Sequence, residues 1–160
     1  EYSALFRTDA ADSLPFSISH IEGSHDASAP FETLYDGTTL LWPLLIHMGP
    51  ADDANPNDYI MKIYFSNEAG PVAIDLYSLI ESLLVEVIDG EGSPCIIDIE
   101  LSDDGTSAMV TFDGLINIRN AATPTPALYR LTISGGSAGI KDSHGNTMKK
   151  SFTCELKDSL

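Results

Sequence analysis

The chain has 160 residues, 43% hydrophobic and 20% charged, which fits one globular domain and excludes wholesale disorder. A formal net charge of −16 repels phosphate backbones and anionic membrane surfaces, so neither nucleic acid nor a lipid surface is an expected partner. The longest apolar run, Leu40 to Ile46, contains Pro43 and is too short to cross a bilayer.

Residues 1–39 are irregular, with one short strand pattern at Phe16-Ser17-Ile18-Ser19 among Asp, Ser, Ala, Gly and Pro. They read as the end of a preceding module, a linker, or extra strands added to a main domain spanning 40–160. The chain begins at Glu1 without a start Met or signal peptide, as a mature or trimmed product does. From Leu40 the pattern becomes regular. Leu44 to Met48 predicts a first strand, 50–58 a loop of turn residues, and Tyr59 to Ser66 a strongly alternating strand with Ile63 and Phe65 on one face. Asp75 can cap a short helix, because Leu76, Leu79, Ile80 and Leu83 recur at helical spacing behind it. Leu83 to Ile88 then reads as a strand. Cys95 to Leu101 and Ala108 to Phe112 form a hairpin around Asp103-Asp104-Gly105. Asn120 to Pro126 is a loop with two prolines, and Tyr129 to Ile133 and Ser151 to Leu156 are the last strands. Between them, Asp142 can bond backbone N–H groups just after it, while Gly145 and Asn146 suit left-handed backbone. About seven strands at near-regular spacing, with one short helix, predict an all-β, antiparallel sandwich.

Cys95 alternates with Ile97, Ile99 and Leu101, and Cys154 with Phe152 and Leu156, so both thiols are expected to face the core. Two buried free thiols or one disulfide both satisfy that pattern. No CxxC motif or Cys/His cluster suggests zinc. His20 and His25 are five apart in irregular sequence and lack the one-face spacing of a metalloprotease pair. Ser143 and His144 are chain neighbours, whose side chains point apart. The carboxylate pairs Asp52–Asp53, Asp103–Asp104 and Glu81–Glu86 sit in turns or on polar faces and read as turn chemistry. Asp53-Ala54-Asn55-Pro56-Asn57-Asp58 is similar to the opening of a calcium loop, with Asp53, Asn55, Asn57 and Asp58 as oxygen donors. However, Asp58 stands where that loop needs glycine, and Tyr64 where it needs its bidentate Glu. Calcium is therefore the sole cofactor raised, and no catalytic residue is expected. Tyr35 and Trp42 read first as packing residues and second as a sugar-stacking platform.

Four segments together resemble the bacterial Ig-like domain first described in S-layer proteins (the SbsA type). Pro50-Ala51-Asp52-Asp53 is similar to its loop after the first strand, with Asp53 replacing the usual glycine. Ile63-Tyr64-Phe65-Ser66 resembles its second strand. Leu101 to Thr106 with Val110-Thr111-Phe112 resembles its hairpin. Tyr129 to Ile133, Gly139 to Asn146 and Phe152 resemble its ending. The stretches 67–79 and 116–127 look longer than usual. The resemblance implies a non-catalytic module of a bacterial surface or exported protein, extracellular, on the cell surface or periplasmic. Such modules act as structural spacers or adhesion units, with neighbouring modules of the same polypeptide as partners. The alternatives are a module binding a glycan or a host protein, through loops 67–74 and 116–127, or an accessory domain of a secreted enzyme.

Overall fold

A computed structural model of the chain describes residues 14–38, 43–50, 52–118 and 126–159. Trp42, Leu40, Leu41, Ala51 and most of the loop from Asn120 lie outside the described residues. In chain order the strands are β1 (Ser17–Ser24), β2 (Glu32–Tyr35), β3 (Leu44–Ile46), β4 (Tyr59–Asn67) and β5 (Gly70–Pro71). Helix α1 (Leu76–Ser82) follows, then β6 (Leu83–Asp89), β7 (Cys95–Leu101), β8 (Ser107–Asp113), β9 (Leu128–Ile133) and β10 (Phe152–Asp158).

Strict alternation sets the centre of the fold. Tyr59, Met61, Ile63 and Phe65 of β4 are buried, and so are Ala108, Val110 and Phe112 of β8 beside it. They face Tyr129, Leu131 and Ile133 of β9 and Cys154 and Leu156 of β10 across one core. One sheet has the order β2-β1-β4-β8-β7, with β5 adding to β4; the other is β3-β10-β9-β6. Taking β3, β4, β6, β7, β8, β9 and β10 as strands A to G, B-E-D lie together in one sheet and C-F-G in the other, the immunoglobulin order. Tyr129, near the start of the sixth of these strands, strengthens the likeness. Its hydroxyl accepts the Ile116 N–H (2.8 Å) and donates to the Glu91 carbonyl (3.0 Å), the placement of a tyrosine corner. One pairing departs from the antiparallel expectation, because β3 runs parallel to β10. Those two strands are joined by most of the chain and not by a hairpin, so no turn dictates their direction.

The described part of residues 1–39 belongs to this sandwich as extra strands, the third of the options above. β1 pairs with β4 along its whole length, and Phe16, Ile18 and Ile21 lie in the common core. The expected boundary at 39/40 therefore does not separate two cores. β1 runs further than its apolar pattern predicts, because Gly23 is required for close packing: a Cβ there would overlap the Tyr59 ring.

Asp75 caps α1 as expected, its Oδ2 accepting the Ser78 N–H at 2.9 Å. The expected inward face of Cys95 is a correction. The register of β7 shifts between Ile96 and Asp98, and the extra residue reverses the alternation. Ile99 and Leu101 pack on the core while Cys95 and Ile97 face outward. Cys95 is an exposed free thiol, and Cys154 is a buried one whose thiol burial pushes up to about 12. Neither cysteine reading holds as stated: both thiols are free, and only Cys154 is buried.

Candidate functional site

Between β9 and β10 the chain builds a tightly bonded loop, then opens a groove. Asp142 is buried, and its Oδ1 accepts the N–H groups of His144 (2.9 Å) and Asn146 (2.8 Å). Its Oδ2 accepts from Asn146 Nδ2 at 3.0 Å, and its own N–H donates to the Asn146 carbonyl at 2.8 Å. Gly145 takes φ +86° to close this turn. Asn146 needs no left-handed backbone, since no described non-glycine residue has positive φ; it contributes its side-chain amide instead. The expected ordered loop is present: the Asp142 carboxylate serves the loop's own N–H groups, and the N–H groups of Lys141 and Ser143 tie it to Ser78 and Ala73.

The next residues are pinned differently. Gly136 N–H donates to the Met148 carbonyl (2.7 Å), and Gly135 N–H to Ser151 Oγ (3.0 Å), which hold 148–151 against the end of β9. Met148 turns inward and is 3% exposed, leaving Lys149 and Lys150 exposed. Beside them lies a groove of about 690 Å³, within the range of ligand sites. Phe16, Ile18 and Met148 form its apolar floor, and Tyr35 and Phe152 its aromatic wall, with ring centroids 5.5 Å apart and planes tilted by 49°. Asn67, Glu68, Ser17 and Ser151 supply polar atoms around the opening. Neither lysine has a carboxylate within ion-pair distance among the described residues; the ion pairs found there all involve histidine. In a chain with 24 acidic and 8 basic residues, two adjacent exposed cations beside an apolar groove form a local positive patch.

The other candidates fall apart spatially. Asp53 Oδ2 lies 3.1 Å from His25 Nδ1, and its Oδ1 accepts the Asn55 N–H at 3.2 Å. Asn55 and Asn57 are exposed, and the Asn57 carbonyl accepts the Leu115 N–H. Asp58 turns toward Asp113; burial, and then that neighbouring charge, raises its pKa above the usual carboxylate value. Asp53 and Asp58 thus turn to different partners, and no group of three or more His, Cys, Asp or Glu gathers for a metal among the described residues. His20 pairs with Glu22 at 3.1 Å, where Tyr64 also donates its hydroxyl to Glu22, and His47 pairs with Glu32 at 2.7 Å. His144 is exposed. Asp104 holds the hairpin turn through the Thr106 N–H and the Thr106 and Ser102 hydroxyls; these bonds, the Thr106 N–H first, lower its pKa.

Sequence reasoning raised Tyr35 and the 67–74 loop but missed Lys149, Lys150, Phe152 and Phe16. The available signal was the Lys149-Lys150 pair itself in so acidic a chain. Compared with known proteins, the chain matches no family model, no curated protein and no solved structure. No helix among the described residues is long and apolar enough to cross a membrane.

Proposed function

We propose that the chain is a non-catalytic Ig-like module of a bacterial surface or exported protein, acting as an interaction unit through the Lys149/Lys150 groove. The groove carries this reading: it joins an apolar floor, an aromatic wall and two exposed cations. The immunoglobulin strand order and the four sequence segments that resemble the S-layer type support the class of module. Its ligand is an acidic sugar chain. Aromatic side chains pack against the apolar face of a sugar ring, lysines pair with a carboxylate, and Asn and Ser satisfy hydroxyls. The second reading is a plain spacer, favoured by the loop at Gly139–Thr147, where the Asp142 carboxylate is engaged by the loop's own N–H groups and amide.

An array of acidic and neutral oligosaccharides separates the two readings. Uronate- or sialate-bearing chains are expected to bind, more weakly as salt rises, and K149E/K150E is expected to abolish that binding. Silence of the acidic chains leaves the spacer reading.

A further inference from the structure

The helix packs less completely than its spacing predicts. Leu79 is fully buried, but Leu76 and Ile80 are 37% and 49% exposed, and Tyr77 beside them is 69% exposed. The exposed apolar side chains continue along the chain: Leu84, Val87 and Ile88 on β6, and Ile97 on β7. Among the described residues, all but one of the large apolar side chains that remain exposed lie between Leu76 and Ile97. Single exposed hydrophobics are ordinary, whereas a concentration on adjoining elements marks an interaction surface.

These elements share one side of the sandwich. β6 ends its sheet, paired to β9 alone, and β7 ends the other sheet, paired to β8 alone. α1 runs directly into β6 and touches β7, so it stands beside both edges. An edge strand presents unpaired N–H and C=O groups, and proteins ordinarily blunt such an edge with Lys or Pro. β6 reads Leu-Leu-Val-Glu-Val-Ile-Asp and has neither; its register shift between Val87 and Asp89 lies at its C-terminal end, which leaves Leu83 to Val87 as the regular pairing edge. No Lys or Arg occurs anywhere between Lys62 and Arg119, while Glu81, Glu86, Asp89 and Glu91 surround the apolar side chains and are all exposed.

That charge pattern chooses the occupant. Two copies of this edge would bring like carboxylates together, so self-pairing is opposed. We propose that β6 is a docking edge for an extended, cationic segment of another protein, which adds as a strand. Its alternate apolar side chains rest on Leu84, Ile88 and the exposed face of α1, and its Lys or Arg side chains meet Glu86 and Asp89. Main-chain bonds supply affinity, and the acidic rim supplies selectivity and a salt-dependent association rate.

The test uses the full chain, amide-resolved NMR and a blocked peptide of about ten residues with alternating Val and Lys. The peptide is expected to shift the amides of 83–89, with weaker binding as salt rises. A Val/Glu peptide and a version N-methylated along one edge are expected not to bind. L84K/I88K places gatekeeping lysines at two exposed positions; it is expected to keep the fold, checked by its spectrum, and to weaken the Val/Lys peptide at least about tenfold, or roughly 1.4 kcal/mol. Equal binding of all three peptides, shifts centred on residues 148–152, or no binding at millimolar peptide would each overturn the proposal. Concentration-dependent dimerisation of the free chain through 83–89 would overturn it in favour of a second copy.

Discussion

Between Gly139 and Thr147 the Asp142 carboxylate is enclosed by its own loop, accepting from two backbone N–H groups and one side-chain amide. A few residues later Lys149 and Lys150 stand exposed, with no carboxylate within ion-pair distance among the described residues. The two stretches share one connection between β9 and β10. Their difference separates polar groups that shape the chain from polar groups left available to a ligand. A buried carboxylate is tolerable where its hydrogen bonds are nearly complete, and it then fixes a backbone. An unpaired surface cation does little for the fold and is free to act outward.

The strongest way to break that distinction is Asp142→Ala. It leaves the N–H groups of His144 and Asn146 without their acceptor in a partly buried turn. Bonds to a charged acceptor are worth about 1.5–3 kcal/mol each and are not additive, so the expected loss is about 3 kcal/mol. Urea unfolding measures it; a loss below about 1 kcal/mol would show that the loop does not depend on its carboxylate.

Gly145→Val comes next. Nothing lies within 4 Å of the added Cβ, so the penalty is that of forcing a β-branched residue to φ +86°. The expected cost is about 1–2 kcal/mol. Gly145→Asn should recover part of it, because Asn tolerates left-handed backbone. Equal losses for Val and Asn would point to a cause other than the dihedral.

The same distinction explains what could be read from sequence. Where alternation is unbroken, in β4, β8, β9 and β10, the strands and their buried faces were legible, and the Asp75 cap announced α1. β7 misled, because a bulge between Ile96 and Asp98 changes parity without any marker such as Gly or Pro. β2 and most of β1 were hidden for another reason. His20, Glu22, Gly23 and Ser24 are poor strand formers locally, and the need for Gly23 resides in Tyr59 of the neighbouring strand. The groove was less legible still. Its lining comes from four separated segments, around residues 16, 35, 67 and 150, which only the fold brings together.

The smallest expected effect falls on the other half of the comparison. K149A/K150A removes two exposed side chains that make no ion pair among the described residues, so stability should change by no more than about 0.5 kcal/mol. What change there is has a predictable sign. Taking two positive charges from a chain of net charge −16 increases self-repulsion, so the variant should be slightly less stable in dilute buffer, and added salt should erase the difference. The apolar floor of Phe16, Ile18 and Met148 is untouched, so the groove keeps its shape while losing its charge. Binding of an acidic sugar chain should therefore fall while the melting temperature holds. A stability loss above about 1 kcal/mol that persists in salt would make the lysines part of the scaffold, and the contrast with Asp142 would collapse.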